Sequence, residues 1–557
     1  MRSDLVVGST KWVVQRAQWG AMGISPDEYH KPKIAVVNSS SQLSSCFSHI
    51  DQLAIDVADA VREAGGLPFE IRTCAPSDFM TAMGHQGRYL LPSRDLMVND
   101  IEVAVEGGML DGMICLSSCD KTAPAHMMAA GRINVPTILV IGGYQAGGHC
   151  AGKKVNIIDA FEASGAYAAN KISLDELREL ADNSITTPGV CAGLGTANTM
   201  HSLAEVMGMT LPFAAPVLAG SERMRENARA AGRRIVELIR EDLKPRDILT
   251  EAALTNAVIV DLAISGSVNS PRHLQAIATE AGLDIDIFAL IEELSPKTPM
   301  IAAIQPNGSH EIDDFERAGG VQAVLARLAD RLDLDHVGVS GQSTRELIEQ
   351  FEPIDADVVR SIDQAYSPES GLTLVRGSLA PLGAVVKVGA FGDAELCFTG
   401  PAKVFDSGED AQASLAVGGI VAGDVVVLRG GGPKGGPGTV MSASFVAALF
   451  GAGLGGVVAV VTDGELSGLN HGIAVGGVMP EAAEGGPIAL VETGDQVEID
   501  LVGRRLELAV SDSELAARRE RLDQLAPTEG TYQRGWLAFY RTLVTPLREG
   551  AVLQAKP

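Results

Sequence analysis

The chain has 557 residues, of which 46% are hydrophobic, and a formal net charge of -26. This length predicts roughly two to four domains with large cores, and the strong negative charge argues against nucleic acid or an acidic membrane surface as a partner. The opening residues, MRSDLVVGSTKW, lack the long apolar run of a signal peptide. We therefore expect a cytoplasmic protein.

One uncharged stretch, residues 445–461, is nearly long enough to cross a membrane. Its centre, residues 451–456, reads GAGLGG, and these glycines would break a spanning helix. The stretch is therefore predicted to form a buried helix, a turn and a buried strand, and no membrane partner is expected.

The first half of the chain alternates apolar runs with helical patterns, which is typical of a parallel α/β sheet. Strands are predicted at residues 33–37, 67–73, 112–116 and 135–143, each followed by a polar or glycine-rich loop. Residues 216–366 are predicted to be mainly helical, because apolar residues recur there at spacings of three and four.

The pattern changes near residue 367. From residue 372 onward, short β-rich runs such as DVVVL, VVAVV, IALV and QVEIDL are separated by glycine turns, and polar helices close the chain. Such a pattern predicts a β-barrel. We therefore predict an α/β domain over residues 1–367 and a β-barrel domain over residues 368–557.

The stretch over residues 111–122, DGMICLSSCDKT, is predicted to be a strand that enters a tight loop. The loop sets Cys119, Asp120 and Lys121 side by side, and ligands bind at this end of the strands in open α/β sheets. A thiolate prefers soft metals and a carboxylate prefers hard ones. Burial can lower the pKa of a lysine, and the neutral amine can take up carbon dioxide as a carbamate. The alternative is an N-capping Asp and an exposed Lys.

Two further cysteines, Cys46 and Cys191, lie in loops beside regular elements of the α/β half. The seven cysteines are scattered and odd in number, which favours metal binding or catalysis over disulfides. Because iron–sulfur clusters normally take four protein ligands, three thiolates would leave one iron open as a Lewis acid. The alternative is that these cysteines are small buried hydrophobes.

Two glycine-rich segments follow strands in the C-terminal half. Residues 429–438, RGGGPKGGPG, lack the Walker pattern, and they favour a loop for a substrate carboxylate, with a plain hairpin as the alternative. In residues 462–468, TDGELSG, Ser467 stands on a tight turn like a nucleophile. No His or Asp partner is implied by the spacing, so a serine alkoxide beside a metal cluster is the alternative to a Ser-triad hydrolase.

Together the motifs resemble those of the dihydroxy-acid dehydratase/6-phosphogluconate dehydratase family. The resemblance covers about residues 30–515. It implies an α/β domain, a β-barrel domain and a homodimer or homotetramer. In chain order the motifs are C-x-x-H (Cys46, His49), SD (Asp78), MGH with LPSRD, CDKT, PGVCAGLGTANTM, FDSGEDA, GGPKGGPG and DG-x-x-SG.

The resemblance also implies ligands and a general base. The residues that match the family's motifs are, for a [2Fe-2S] cluster, Cys46, Cys119 and Cys191; for magnesium, Asp78, Asp120 and Lys121 as its carbamate; and for the general base, Ser467.

The chain departs from the family at one magnesium ligand. The family has a glutamate in GGPGMPEM, whereas residues 435–441 here read GGPGTVM, so Met441 falls on the ligand position. A thioether is a poor magnesium ligand. Glu465 stands where the family usually has Arg, and we expect it to supply the missing oxygen; a water is the alternative.

The implied reaction is dehydration of a 2,3-dihydroxy carboxylate to a 2-keto-3-deoxy acid, with the cluster as Lewis acid. The GLGTANTM and RYLLPSRD segments favour a sugar acid (aldonate) or a short hydroxy acid over the dihydroxyisovalerate of branched-chain amino-acid biosynthesis. A non-catalytic member that keeps the fold and the cluster, and an electron-transfer protein with a fully ligated cluster, are the alternatives from other classes.

Overall fold

A computed structural model provides the fold of the chain. Within the residues that it describes, no helix is both long and apolar enough to span a membrane. The described residues are 1–81, 84–349, 351, 354–388, 396–466, 472–524 and 534–555.

The chain forms two main sheets and one short hairpin. Their strands are β1 Lys33–Asn38, β2 Leu67–Arg72, β3 Gly112–Ser117, β4 Thr137–Ile141, β5 Gly148–Cys150, β6 Lys153–Val155, β7 Leu372–Val375, β8 Gly383–Lys387, β9 Cys397–Phe405, β10 Val425–Leu428, β11 Ala459–Thr462, β12 Ala474–Met479, β13 Gln496–Asp500 and β14 Arg505–Leu508.

Helices form much of the remaining described chain, and several of them follow one another between the two sheets. They are α1 Thr10–Ala21, α2 Ile50–Glu63, α3 Asp78–Thr81, α4 Leu90–Gly108, α5 Thr122–Ile133, α6 Ile157–Ala168, α7 Leu174–Asn183, α8 Thr196–Val206, α9 Glu222–Glu241, α10 Pro245–Ile248, α11 Glu251–Ala263, α12 Ser270–Ala281, α13 Ile287–Leu294, α14 Ile312–Arg317, α15 Gly320–Arg327, α16 Thr344–Glu349, α17 Gly408–Ala416, α18 Ala443–Ala452, α19 Asp512–Gln524 and α20 Trp536–Leu543.

The first sheet is parallel and has the strand order β2-β1-β3-β4. Every residue of β1, β3 and β4 is buried, as expected for parallel strands covered by helices on both faces. Ile114 of β3 lies opposite Val36 of β1 and Ile138 of β4. The four predicted strands and the α/β class are confirmed, and the carboxyl end of β3 lies in the middle of the sheet.

The second sheet has eight strands in the order β14-β13-β9-β10-β11-β12-β8-β7. Strands β9 to β12 are mutually parallel, and antiparallel strands flank them. Arg376, directly after β7, pairs with Arg505 of β14, and the Leu506 N–H donates to the Arg376 carbonyl at 2.8 Å. The two edges therefore meet, and the predicted barrel-like sheet is confirmed.

Two local predictions have different outcomes. The uncharged stretch forms α18, which ends at Gly453 with φ 84°, and then β11, so the predicted helix, turn and strand are confirmed. The run IALV is wrong as a strand, because residues Pro487–Leu490 form a 3₁₀ turn. Proline has no N–H for a strand ladder and suits the first position of a helical turn.

Helices α6 and α18 join the two halves at close range. A Cβ atom added to Gly451 would lie 1.9 Å from the carbonyl carbon of Gly165. The two helix backbones are therefore in direct contact, and only glycine allows this approach. The contact therefore packs a helix of the first half against a helix of the second.

Candidate active site

The candidate site lies where the loop after β3 meets the loop after β11. Lys121, in the first loop, donates from Nζ to Oε1 of Glu465, in the second, at 2.7 Å. Lys121 also pairs with its neighbour Asp120. The exposed fractions of the Lys121 and Glu465 side chains are 1% and 0%. The site thus contains charged groups of opposite sign, removed from water and contributed by both halves of the chain.

A tight turn places the neighbouring side chains at this site. The Ser118 N–H donates to the hydroxyl of Thr122 at 2.8 Å, and the Thr122 N–H donates to the carbonyl of Cys119 at 3.0 Å. Helix α5 then begins at Thr122, with Lys121 as its N-cap residue and no side-chain cap. The predicted strand–loop–helix is confirmed, whereas the alternative of a capping Asp120 and an exposed Lys121 is wrong.

Glu465 is held by three neighbours. Its Oε2 accepts a hydrogen bond from the Thr439 hydroxyl at 2.8 Å, and the Arg272 guanidinium lies 2.7 Å from its Oε1. Burial alone would raise its pKa, but the positive charges of Arg272 and Lys121 outweigh burial and lower the pKa of Glu465 to about 2. Glu465 is therefore a carboxylate at neutral pH.

The backbone of Met441 runs beside Glu465. The two residues form a parallel bridge, in which the Glu465 N–H donates to the Val440 carbonyl and the Ser442 N–H donates to the Glu465 carbonyl, both at 2.9 Å. The carboxylate of Glu465 therefore belongs to the same small region as the position where the family has its glutamate. This geometry supports the prediction that Glu465 replaces that ligand.

The predicted cluster ligands are buried close to these charges. The Cys119 thiol donates to Asp78 Oδ1 at 2.6 Å. A hydrogen bond between the thiols of Cys119 and Cys46 lowers the pKa of Cys46 and raises the pKa of Cys119. Burial, followed by the negative charges of Asp78 and Cys46, raises the pKa of the Cys191 thiol. The structure thus brings the three predicted thiols and Asp78 into one region.

The segment PGVCAGLGTANTM folds the turn that carries Cys191. The Asn198 side chain donates to the carbonyls of Cys191 and Gly193, both at 2.8 Å, and the Thr196 hydroxyl bonds to that of Ser267 at 2.8 Å. Helix α8 begins at Thr196, within this segment. Gly195, in extended conformation at the N-cap, allows this start.

The donor set can be compared with the groups that the resemblance implies. Within the described ranges, no group of three or more His, Cys, Asp or Glu side chains could hold a metal ion as it stands. In this arrangement the ammonium of Lys121 pairs with the carboxylates of Asp120 and Glu465. The ammonium therefore provides the positive charge that balances these carboxylates. The donor types nevertheless fit, since thiols suit iron and buried carboxylates suit a hard cation.

Ser467 lies outside the described residues. The residue before it is fixed: the Asn269 side chain donates to the Leu466 carbonyl at 2.9 Å and to the Thr196 hydroxyl at 3.1 Å. Asn269 thereby ties the loop after β11 to α8. The sequence alone assigns no role to Asn269, which lies in the region predicted to be mainly helical.

Two buried acidic side chains organise the glycine-rich loop after β10. Asp463 accepts from the N–H groups of Gly430 and Gly431, and Glu481 accepts from those of Lys434 and Gly435, at 2.8–3.1 Å. These four N–H groups are therefore not available to a substrate. The structure does not support the prediction that this loop binds the substrate carboxylate through its backbone.

The arginine of LPSRD also has a structural role. Arg94 is fully buried and donates to the carbonyls of Gly550 at 3.1 Å and Ala551 at 2.6 Å. It thus ties α4 to the end of the chain. The LPSRD motif was one reason to favour an aldonate as the substrate. Because Arg94 bonds within the protein, it does not support that choice of substrate.

Sequence reasoning missed Arg272 and Thr439, which both contact Glu465. Neither residue stands in a motif that specifies a role. The only signal was that Arg272 follows the segment SVNSP at the start of a predicted helix. The contact of Arg272 with Glu465 forms only when α12 packs beside the loop after β11.

Buried ionisable groups of opposite sign, gathered where two parts of a chain meet, are typical of an enzyme. Comparison with known proteins gives the family. The models described as Dihydroxy-acid/6-phosphogluconate dehydratase N-terminal and C-terminal match residues 31–347 and 357–551. The chain therefore belongs to the dihydroxy-acid/6-phosphogluconate dehydratase family, and the predicted hydro-lyase activity class is confirmed.

A curated relative matches along the whole chain. The chain is 41% identical to a dihydroxy-acid dehydratase of Methanococcoides burtonii over 557 residues, which are 99% of this chain and 100% of that protein. The match therefore includes both sheets and both loops of the candidate site.

Proposed function

We propose that the protein removes water from a 2,3-dihydroxy carboxylate and forms a 2-keto-3-deoxy acid. One observation carries the proposal: the buried contact of Lys121 with Glu465, at 2.7 Å, lies beside the contact of Cys119 with Asp78, at 2.6 Å. Together with the family membership, it supports adjacent sites for a soft and a hard metal.

The proposed cofactors are a [2Fe-2S] cluster and Mg²⁺. When bound, the cluster would supply a Lewis acid for the departing hydroxyl, and Mg²⁺ would acidify the proton at C2. The proposed holders are Cys46, Cys119 and Cys191 for the cluster, and Asp78, Asp120, Lys121 as its carbamate and Glu465 for Mg²⁺.

Side chains of the protein are proposed to move the proton and to shape the site. Ser467 is proposed as the general base that takes the C2 proton, and Asn269 fixes the carbonyl of Leu466 directly before it. Loss of this proton and of the C3 hydroxyl leaves an enol, which tautomerises to the 2-keto acid. The buried side chains of Lys121 and Glu465 keep bulk water from this region.

The relative is named a dihydroxy-acid dehydratase, which is in keeping with a dihydroxy acid, such as the dihydroxyisovalerate of branched-chain amino-acid biosynthesis, as the substrate. An aldonate is the second candidate, on the strength of the segments GLGTANTM and RYLLPSRD. In the structure, however, Asn198 and Thr196 of the first segment bond within the protein, as does Arg94 of the second. We therefore place the short branched dihydroxy acid first.

Turnover by purified protein tests this function. The protein would be reconstituted anaerobically with iron, sulfide and Mg²⁺, and 2-keto acid formation measured with 2,3-dihydroxyisovalerate and with D-gluconate. We expect formation of 3-methyl-2-oxobutanoate at the higher kcat/KM. Preference for gluconate would favour the aldonate, and an intact cluster without turnover of either compound would favour a non-catalytic family member.

We also propose a homodimer or homotetramer in the cytoplasm, built from domains that divide near residue 367. Light scattering of the purified protein gives the oligomeric state. Limited proteolysis would be expected to cut first near the proposed boundary, and cleavage elsewhere would contradict it.

A further inference from the structure

We propose that Arg272 binds the carboxylate of the substrate. The inference rests on the proposed function, since it names the group that would receive the anionic end of a hydroxy acid. Arg272 lies in the first turn of α12, and its exposed fraction is 5%. It would act by direct contact with the substrate and thus fix which end of the molecule enters the site.

Arg272 lies at the candidate site itself. Its guanidinium is 2.7 Å from Oε1 of Glu465, the same oxygen that accepts from Lys121. The Arg272 and Lys121 charges also both lower the pKa of His273, although burial is the largest cause. Lys121 is also paired with Asp120, whereas Arg272 contacts Glu465, so Arg272 adds a positive charge beside the carboxylates of the site.

Two donor atoms of Arg272 make no hydrogen bond among the described residues. Its Nε and Nη2 atoms are buried, and neither has a hydrogen-bond partner among the described residues. The contact with Glu465 is therefore close in distance but lacks hydrogen-bond alignment. An unmet buried donor costs about 1–3 kcal/mol, and more when it is charged. Such donors at a binding site point to a ligand that completes them.

Two other arginines, of which Arg94 is buried and Arg132 partly buried, show what a structural role looks like. Arg94 donates to Asp95 and to two backbone carbonyls, and Arg132 donates to Glu102 and Glu280. Each thereby joins separate parts of the chain. Arg272 makes no comparable set of bonds within the described ranges, so fold stability does not account for its position.

The chemistry of the ligand follows from the guanidinium. Its planar fork matches the two oxygens of a carboxylate, and the bidentate pair is stronger than a contact to a neutral group. A 2,3-dihydroxy carboxylate has one such anion. Nearby, Nε2 of His273 and the hydroxyl of Tyr540 are also buried without partners among the described residues, and they provide further polar groups for hydroxyls.

The test compares a carboxylate with its neutral analogue. Binding of 3-methyl-2-oxobutanoate and of its carboxamide to the reconstituted protein would be measured by calorimetry. The variant Arg272→Met should weaken carboxylate binding about 10- to 100-fold and change carboxamide binding little. Arg272→Lys, which keeps the charge but loses the fork, should be intermediate. The control Arg225→Met removes an ion pair to Asp56 outside the site and should change neither.

Three other results would contradict the proposal. If Arg272→Met weakens binding of the carboxylate and of the carboxamide equally, or alters only the affinity for Mg²⁺, then Arg272 acts by positioning Glu465 and the proposal is wrong. If the wild type does not bind the carboxylate at all, it is wrong as well. If circular dichroism shows that Arg272→Met is unfolded, Arg272→Lys becomes the test variant. The ratio of its affinity for the carboxylate to its affinity for the carboxamide is then compared with that of the wild type, and an unchanged ratio contradicts the proposal.

The proposal and the function can fail separately. A wild type that binds the carboxylate through Arg272, yet dehydrates no dihydroxy acid, contradicts the proposed function and keeps this inference. An active enzyme whose Arg272→Met variant retains the wild-type KM and carboxylate preference keeps the function and contradicts the inference.

Discussion

Lys121 Nζ and Glu465 Oε1 lie 2.7 Å apart although the two residues are 344 positions apart in the chain. Both are buried, so breaking this contact by removing one partner would leave a charge without compensation. The contact therefore couples the α/β half to the barrel half at the candidate site. Glu465 also lies beside Met441 through a backbone bridge, which is the geometry behind the proposal that Glu465 is a magnesium ligand.

The variant Glu465→Ala should weaken Mg²⁺ affinity about 10- to 100-fold or more, since losses around a metal commonly have this size. Introducing Met441→Glu into that variant should partly restore the affinity, because the backbones of the two residues run side by side. Titration with Mg²⁺ measures both effects. Glu292→Ala, which removes an ion pair with Arg376, is the control. Unchanged Mg²⁺ affinity in Glu465→Ala would show that Glu465 is not a ligand.

The variant Cys119→Ser should lose the visible absorbance of the cluster and the turnover together. The fold should persist, because β3 is buried along its whole length without this side chain. Anaerobic absorption spectra and iron analysis measure the effect. Cys115→Ala, within β3 and equally buried, should keep the iron with some loss of stability. Full iron content in Cys119→Ser would rule out the assignment of this ligand.

The sequence predicts the fold well where one physical signal dominates. Strand β3 is a continuous apolar run, and Gly453 ends α18 as expected from its lack of a side chain. The loop side chains of Cys119 and Asp120 could also be placed, because the end of a central parallel strand is a known position for ligands.

Contacts that depend on distant segments could not be predicted in this way. Arg272 and Thr439 meet at Glu465 only after α12 and two loops have packed together. The glycine-rich loop was misjudged for the same reason, since its N–H groups are taken by Asp463 and Glu481 from later in the chain. The local sequence pattern does not predict hydrogen-bond partners from distant segments.

The variant Ser467→Ala should lower turnover by about 10²- to 10⁴-fold, as expected for the loss of a general base, while cluster absorbance and Mg²⁺ binding persist. Asn269→Ala should lower kcat less, because it removes the bonds to the Leu466 carbonyl and the Thr196 hydroxyl but leaves Ser467 itself in place. Exchange of deuterium at C2 of the substrate separates the two effects. Wild-type exchange in Ser467→Ala would identify a different base.

Glu481 should make stability depend on pH in the neutral range. Burial raises its pKa from 4.5 to about 8, so the folded protein holds a proton that the unfolded chain has already lost. This contribution to stability is complete below about pH 4.5 and is lost as pH rises towards 8. The slope should approach about 1.4 kcal/mol per pH unit within that window.

The variant Glu481→Gln cannot ionise, so its free energy of unfolding should lack this slope. Its side-chain oxygen can still accept from one of the two N–H groups, of Lys434 or Gly435, that Glu481 binds, so the loop should keep part of its support. Urea unfolding at pH 5, 6, 7 and 8 would compare the two proteins. Parallel curves across this range would show that Glu481 is already ionised in the folded state and that its backbone donors, rather than burial, govern its charge.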